Sequence, residues 1–88
     1  MPAPMTRLAE LARTFPSLAR SPVLDPFDVE RVEAFRRVCS HGECLAADFI
    51  LHVYNRYEHK FDLGEAMNTW DDAHIATFAT WARAPFYC

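Results

Sequence analysis

Apolar positions recur at steps of three and four along most of this chain, the spacing of one face of a helix. Thr6 to Phe15 places Leu8, Leu11, Ala12 and Phe15 on such a face, with Arg7, Glu10 and Arg13 mostly on the wet side. Pro16 ends that run, because the residue before a proline is driven out of the helical region. Ser17 to Leu24 shows no period and reads as an irregular connection.

The next start signal is Asp25-Pro26-Phe27-Asp28: a capping acceptor, a first-turn proline with preset φ, and an acid at the positive helix end. A helix is predicted from Phe27 to about Ser40, with Phe27, Ala34, Phe35 and Val38 on one arc and Val32 and Cys39 flanking it. Gly42 is placed as its left-handed cap. Glu43 to Tyr57 follows, with Ala46, Phe49, Ile50, Val53 and Tyr57 in strict helical period. The short link at His41-Gly42 predicts that these two helices pack antiparallel.

Phe61-Asp62-Leu63-Gly64-Glu65 repeats the start logic. Asp62 is the cap, Glu65 is positioned to reach back as in a capping box, and Phe61 precedes the cap as a hydrophobic staple. Leu63, Ala66, Met67 and Trp70 continue at helical spacing. Asp71 or Asp72 opens a last helix striped by Ile75, Phe78, Ala79 and Ala82 with Trp81 beside them, which Pro85 stops ahead of an apolar Phe86-Tyr87-Cys88 tail. The expected fold is all-α: one domain over residues 1–88, a compact bundle of four to five short helices. A Pro-rich arm with a short helix (1–24) precedes a helical core (25–88).

Composition agrees. Two glycines and few β-branched residues do not supply the turns and strands of an all-β domain. With 88 residues there is one core, and a 51% apolar share excludes a disordered chain. No apolar run nears the roughly 18 residues of a membrane span, and Met1 to Arg20 lacks the long apolar stretch of a secretory leader. The cytoplasm, with free thiols, is therefore the expected compartment. A net charge of −3 argues against general nucleic-acid binding. That charge is uneven: residues 61–88 set Asp62, Glu65, Asp71 and Asp72 against Arg83 alone, and the rest of the chain cancels.

Three clusters bear on chemistry. Cys39-Ser40-His41-Gly42-Glu43-Cys44 offers two thiols and an imidazole, either for zinc or for a thiol nucleophile. Zinc needs a fourth ligand, and His52 lies about 12 Å from Cys44 along a regular helix. Closure would fall to His59, His74 or Cys88 through tertiary contact. The plainer reading of Cys39, His41 and Cys44 is two small apolar residues at an interhelical turn beside an exposed histidine, so no metal or other cofactor is expected. Asp48 and His52 stand four apart, which on a helix more often makes a weak surface pair than a general base. The Trp70-Asp71-Asp72 corner has the outline of a helix-turn-helix, but a recognition helix opening with two acids and offering His74 and Arg83 is a poor reader of DNA.

Surface recognition remains. Twelve aromatic residues exceed what five short stripes need, and Tyr54, Phe86, Tyr87 and one tryptophan, assigned to Trp70, are expected to be partly exposed. With the acidic residues Asp62, Glu65, Asp71 and Asp72 they form the expected protein-binding surface. No enzymatic activity is expected. The alternatives are a zinc-binding or thiol-dependent small domain built on Cys39, His41 and Cys44, or a structural subunit of a homo-oligomer.

Residues 47–72 read Ala-Asp-Phe-Ile-Leu-His-Val-Tyr-Asn, then Lys-Phe-Asp-Leu, then Trp-Asp-Asp-Ala. About a third of the chain thus resembles a family of small, uncharacterised proteobacterial proteins carried on plasmids and integrative elements. Asp48, Phe49, Asn55, Phe61, Asp62, Leu63 and Asp72 match its pattern. The chain departs at Gly64-Glu65-Ala66, where the family usually has a Thr-Asp-Leu type of segment. The family carries no assigned activity, and its matching residues read as scaffold. What the resemblance implies is context: an accessory factor of a mobile genetic element, of which one kind inhibits host defence complexes in the anti-CRISPR manner. The acidic residues would then mimic phosphate spacing in a basic groove.

Overall fold

A computed structural model describes residues 4–19 and 27–88, and the proposed cap Asp25-Pro26 lies outside them. Among the described residues the fold is all-α, with helices α1 (Pro4–Thr14), α2 (Pro16–Ala19), α3 (Val29–Arg36), α4 (His41–Tyr54), α5 (Leu63–Thr69) and α6 (Asp72–Arg83). One more helix is present than the upper expectation, because the stretch after Pro16 forms the single turn α2 instead of an irregular link. Capping explains most starts. Asp28, Asp62 and Asp71 accept from the amides of Glu30, Glu65 and His74, so each satisfies a donor that the helix leaves orphaned. At α4 the Glu43 carboxylate accepts from both the amide and the hydroxyl of Ser40.

That last cap corrects the sequence reading. Ser40-His41-Gly42-Glu43 has the spacing of a capping box, and Gly42 sits inside the first turn of α4 instead of ending α3. Conversely, the Glu65 side chain does not close a box on Asp62 but meets His41 Nε2 at 2.8 Å. On α3 the buried residue is Val32, while Val38 lies beyond the helix and is 82% exposed. Tyr57 likewise falls outside α4 and is exposed, because the helix stops at Tyr54 and Asn55 organises the following turn, its Oδ1 accepting from the amides of Tyr57 and Glu58.

Helix α4 is the axle of the domain. It buries Leu45, Ala46, Ala47, Phe49, Ile50, Leu51 and Val53, which is more than one face. A helix apolar nearly all round must be enclosed, and α1, α2, α3 and α5 pack against it while α6 lies against α1. Phe49 is the centre of an aromatic cluster, with ring centroids of Phe61 and Trp81 at 5.0 Å, Phe78 at 5.3 Å and Phe15 at 5.6 Å. Most of these meetings are edge-on or tilted, the arrangement that aromatic quadrupoles favour. The tail after α6 folds back on the same cluster. Trp81 Nε1 donates to the Phe86 carbonyl, and the Cys88 amide donates to Val53 O.

Candidate functional site

The four acidic residues all fall at the starts of α5 and α6, and all four are exposed. Their local roles differ. Asp62 and Asp71 are caps, Glu65 faces His41, and the Asp72 side chain has no partner among the described residues. Each also lies where the helix dipole favours negative charge, so part of this acidity serves the helices themselves. Tyr54 is half-buried and stays at the edge of the core. Trp70 is corrected outright: it is 7% exposed, stacked on Phe61, and belongs to the core rather than to a contact surface.

The cysteine turn is also corrected. Cys39 and Cys44 are bonded to each other in a disulfide, with Cα atoms 5.5 Å apart. Neither sulfur is then a thiolate, so neither a zinc site nor a thiol nucleophile is assembled from this pair. His41 is turned away to Glu65. Among the described residues no group of three or more His, Cys, Asp or Glu side chains stands together as a metal cage. Asp48 and His52 do not pair either: Asp48 takes Arg36, and His52 Nδ1 donates to the His59 carbonyl.

The structure instead assembles a group that the spacing of the sequence does not reveal. His74, in the first turn of α6, is only 8% exposed. Asp71 Oδ1 contacts its Nδ1 at 2.7 Å and accepts from its amide at 2.9 Å. The Ser17 hydroxyl of α2 stands 2.9 Å from Nε2 on the other side of the ring. A carboxylate only accepts, so Nδ1 carries the proton and Nε2 presents its lone pair. The Ser17 amide confirms this assignment by pointing its N–H at the same Nε2 from 3.4 Å. The imidazole is flanked by Phe15 and Trp70, whose ring centroids lie 6.0 and 6.1 Å away. Donation from the His74 amide, and then from its ring, holds the Asp71 carboxyl below the ordinary carboxylate range.

No protein-family model, curated protein or solved structure matches the chain. The site therefore rests on its own geometry. Beside Ser17 and His74 opens a cleft of about 230 Å³, lined also by Ser40, Gly42, Trp70 and Asp71. A larger groove of about 440 Å³ runs between α1 and α6, lined by Leu11, Ala76 and Trp81 and by Arg7, which sits over the Phe86 ring. Of all these side chains, Asp71 was legible as a cap and as a surface acid. Its Asp-x-x-His spacing at a helix start was the one sequence signal for the ring beside it. Ser17 is 57 residues from His74 and left no such signal.

Proposed function

We propose that the chain is a protein-interaction module whose acidic α5–α6 edge meets a basic surface. The observation that supports this is four exposed carboxylates at two consecutive helix starts, in a segment whose one basic residue is Arg83. Complementary charge of this kind steers encounter and fixes orientation more than it adds affinity. With the family resemblance, the reading extends to an accessory factor of a mobile element that occupies the nucleic-acid groove of a host defence complex, in the anti-CRISPR manner. Nucleic acid itself is not the partner on this reading, since its phosphates would face carboxylates. Among the described residues no helix is long and apolar enough to cross a membrane. The Cys39–Cys44 bond overturns the expectation of free thiols that went with a reducing cytoplasm.

The test uses Glu65→Lys with Asp72→Lys, which reverses charge on the edge and leaves the caps Asp62 and Asp71 in place. In cells whose RNA-guided defence destroys an incoming plasmid, the wild-type chain is expected to protect the plasmid and the double variant to fail, with both folded by circular dichroism. Equal protection by the two chains, or none by either, rejects the reading. A homo-oligomeric role is the competing account, and native mass spectrometry of the purified chain separates it.

A further inference from the structure

The geometry points to Ser17 as an activated nucleophile: Ser17, His74 and Asp71 form an acyl-transfer site for esters of short acyl groups, which shares only Asp71 with the acidic interaction edge. Three observations carry it. The first is the order of contacts, hydroxyl to Nε2 at 2.9 Å and Nδ1 to carboxylate at 2.7 Å, in the tautomer that lets the ring take the serine proton. The second is rigidity. The imidazole is nearly buried between Phe15 and Trp70, and its residue is fixed by the Asp71 cap, so no reorganisation is needed to align it. The third is access, since Ser17 is only part-buried and borders the 230 Å³ cleft.

The cleft is also bordered by a helix start. Gly42 lines it from the first turn of α4, where a helix presents amides that have no acceptor within it. Such donors are what a developing oxyanion requires. Size sets the substrate class: the cleft is smaller than the roughly 300–1,000 Å³ of sites for drug-sized ligands, which leaves room for an acetyl-sized group.

In the reaction, Ser17 Oγ bonds to the ester carbonyl carbon as its proton passes to His74 Nε2. Collapse of the adduct breaks the bond to the leaving oxygen, which takes that proton from Nε2 and departs as the alcohol. Water then attacks acyl-Ser17, gives a proton to Nε2, and the released Ser17 oxygen recovers it. The sum is ester plus water to acid plus alcohol. Asp71 is a positioning residue that holds Nδ1–H and steadies the imidazolium formed in each half.

The test is covalent labelling of the full-length chain with an alkyl fluorophosphonate, read by peptide mass spectrometry, alongside hydrolysis of p-nitrophenyl acetate. One adduct is expected, on Ser17, and none in Ser17→Ala. Asp71→Asn keeps a capping side chain but not the charge, so the expected result is a melting temperature close to wild type with labelling slowed about a hundredfold or more. His74→Gln is expected to lose labelling as well. Absence of a Ser17 adduct in the folded wild-type chain, or labelling of Asp71→Asn at the wild-type rate, overturns the assignment and leaves Ser17–His74 as a structural tie between α2 and α6.

Discussion

Asp71 holds both the amide and the ring of His74 with one carboxylate oxygen, and so closes the first turn of α6 while setting which ring nitrogen faces α2. Capping and tautomer selection are usually separate tasks. Here the same charge performs both, and substitutions at position 71 can separate them. Asp71→Ala loses the cap and is expected to lower the urea midpoint, whereas Asp71→Asn keeps a good capping side chain and lowers it less.

The pH dependence follows from the lowered Asp71 carboxyl. A carboxyl whose folded value lies below its unfolded value binds fewer protons when folded. Its stabilisation is complete above the ordinary carboxylate range and is lost as pH falls through the lower, folded value. The stability difference between wild type and Asp71→Asn is therefore expected to hold at neutral pH and to shrink in strong acid. Urea titrations of both chains from pH 7 downward check it, and a gap that widens in acid would contradict the sign.

Phe49 touches rings from four other parts of the chain, so its removal is felt by all of them at once. Truncating a buried phenylalanine to alanine costs about 3–5 kcal/mol, against total stabilities of about 5–15 kcal/mol for ordinary domains. A chain this short sits near the low end of that range. Phe49→Ala is expected to lose near-ultraviolet circular dichroism and the cooperative melt at 25 °C while keeping part of its helical signal. A native-like cooperative transition would show that the cluster is not the centre of the core.

Much of this fold is legible because helix starts are local events. Asp62 needed only its own neighbours to be recognised as a cap, the last cap was narrowed to the adjacent pair Asp71 and Asp72, and the α4 period stood out over several turns. Gly42 was misplaced because a glycine near a helix end and a Ser-x-x-Glu box compete for the same four residues, and the box prevails. Val32 and Val38 exchange roles because a helix of eight residues has too few turns to define its buried face without its neighbour. Trp70 was assigned to the surface on composition alone, yet its ring is what fills the space between Phe61 and His74. Ser17 meets His74 only through tertiary packing, and no local pattern encodes a contact across 57 residues.

The His41–Glu65 contact joins the start of α4 to the first turn of α5 at 2.8 Å, but both side chains are largely exposed. Exposed pairs contribute about 0–1 kcal/mol and are screened by salt. His41→Ala is accordingly expected to shift the urea midpoint only slightly, and by less still in high salt. A loss comparable to that of Phe49→Ala would mean that His41 has a structural role beyond this pair.

The Cys39–Cys44 bond closes a short loop between α3 and α4, and the third thiol, Cys88, is exposed at the surface and free of any disulfide. Loop-closure entropy grows with the logarithm of loop length, so so short a loop is worth about 2 kcal/mol at most. Mild reductant is expected to lower the melting temperature without unfolding the chain, and Cys39→Ser with Cys44→Ser should reproduce that shift. Thiol titration of the native protein should count one reactive group, rising to all three cysteines after reduction. Partial desolvation pushes the Cys88 thiol above its ordinary value, so the single native group should react slowly at neutral pH. Three fast-reacting thiols in the unreduced protein would mean that Cys39 and Cys44 are apart in solution, and the cysteine turn would again be open to metal or redox chemistry.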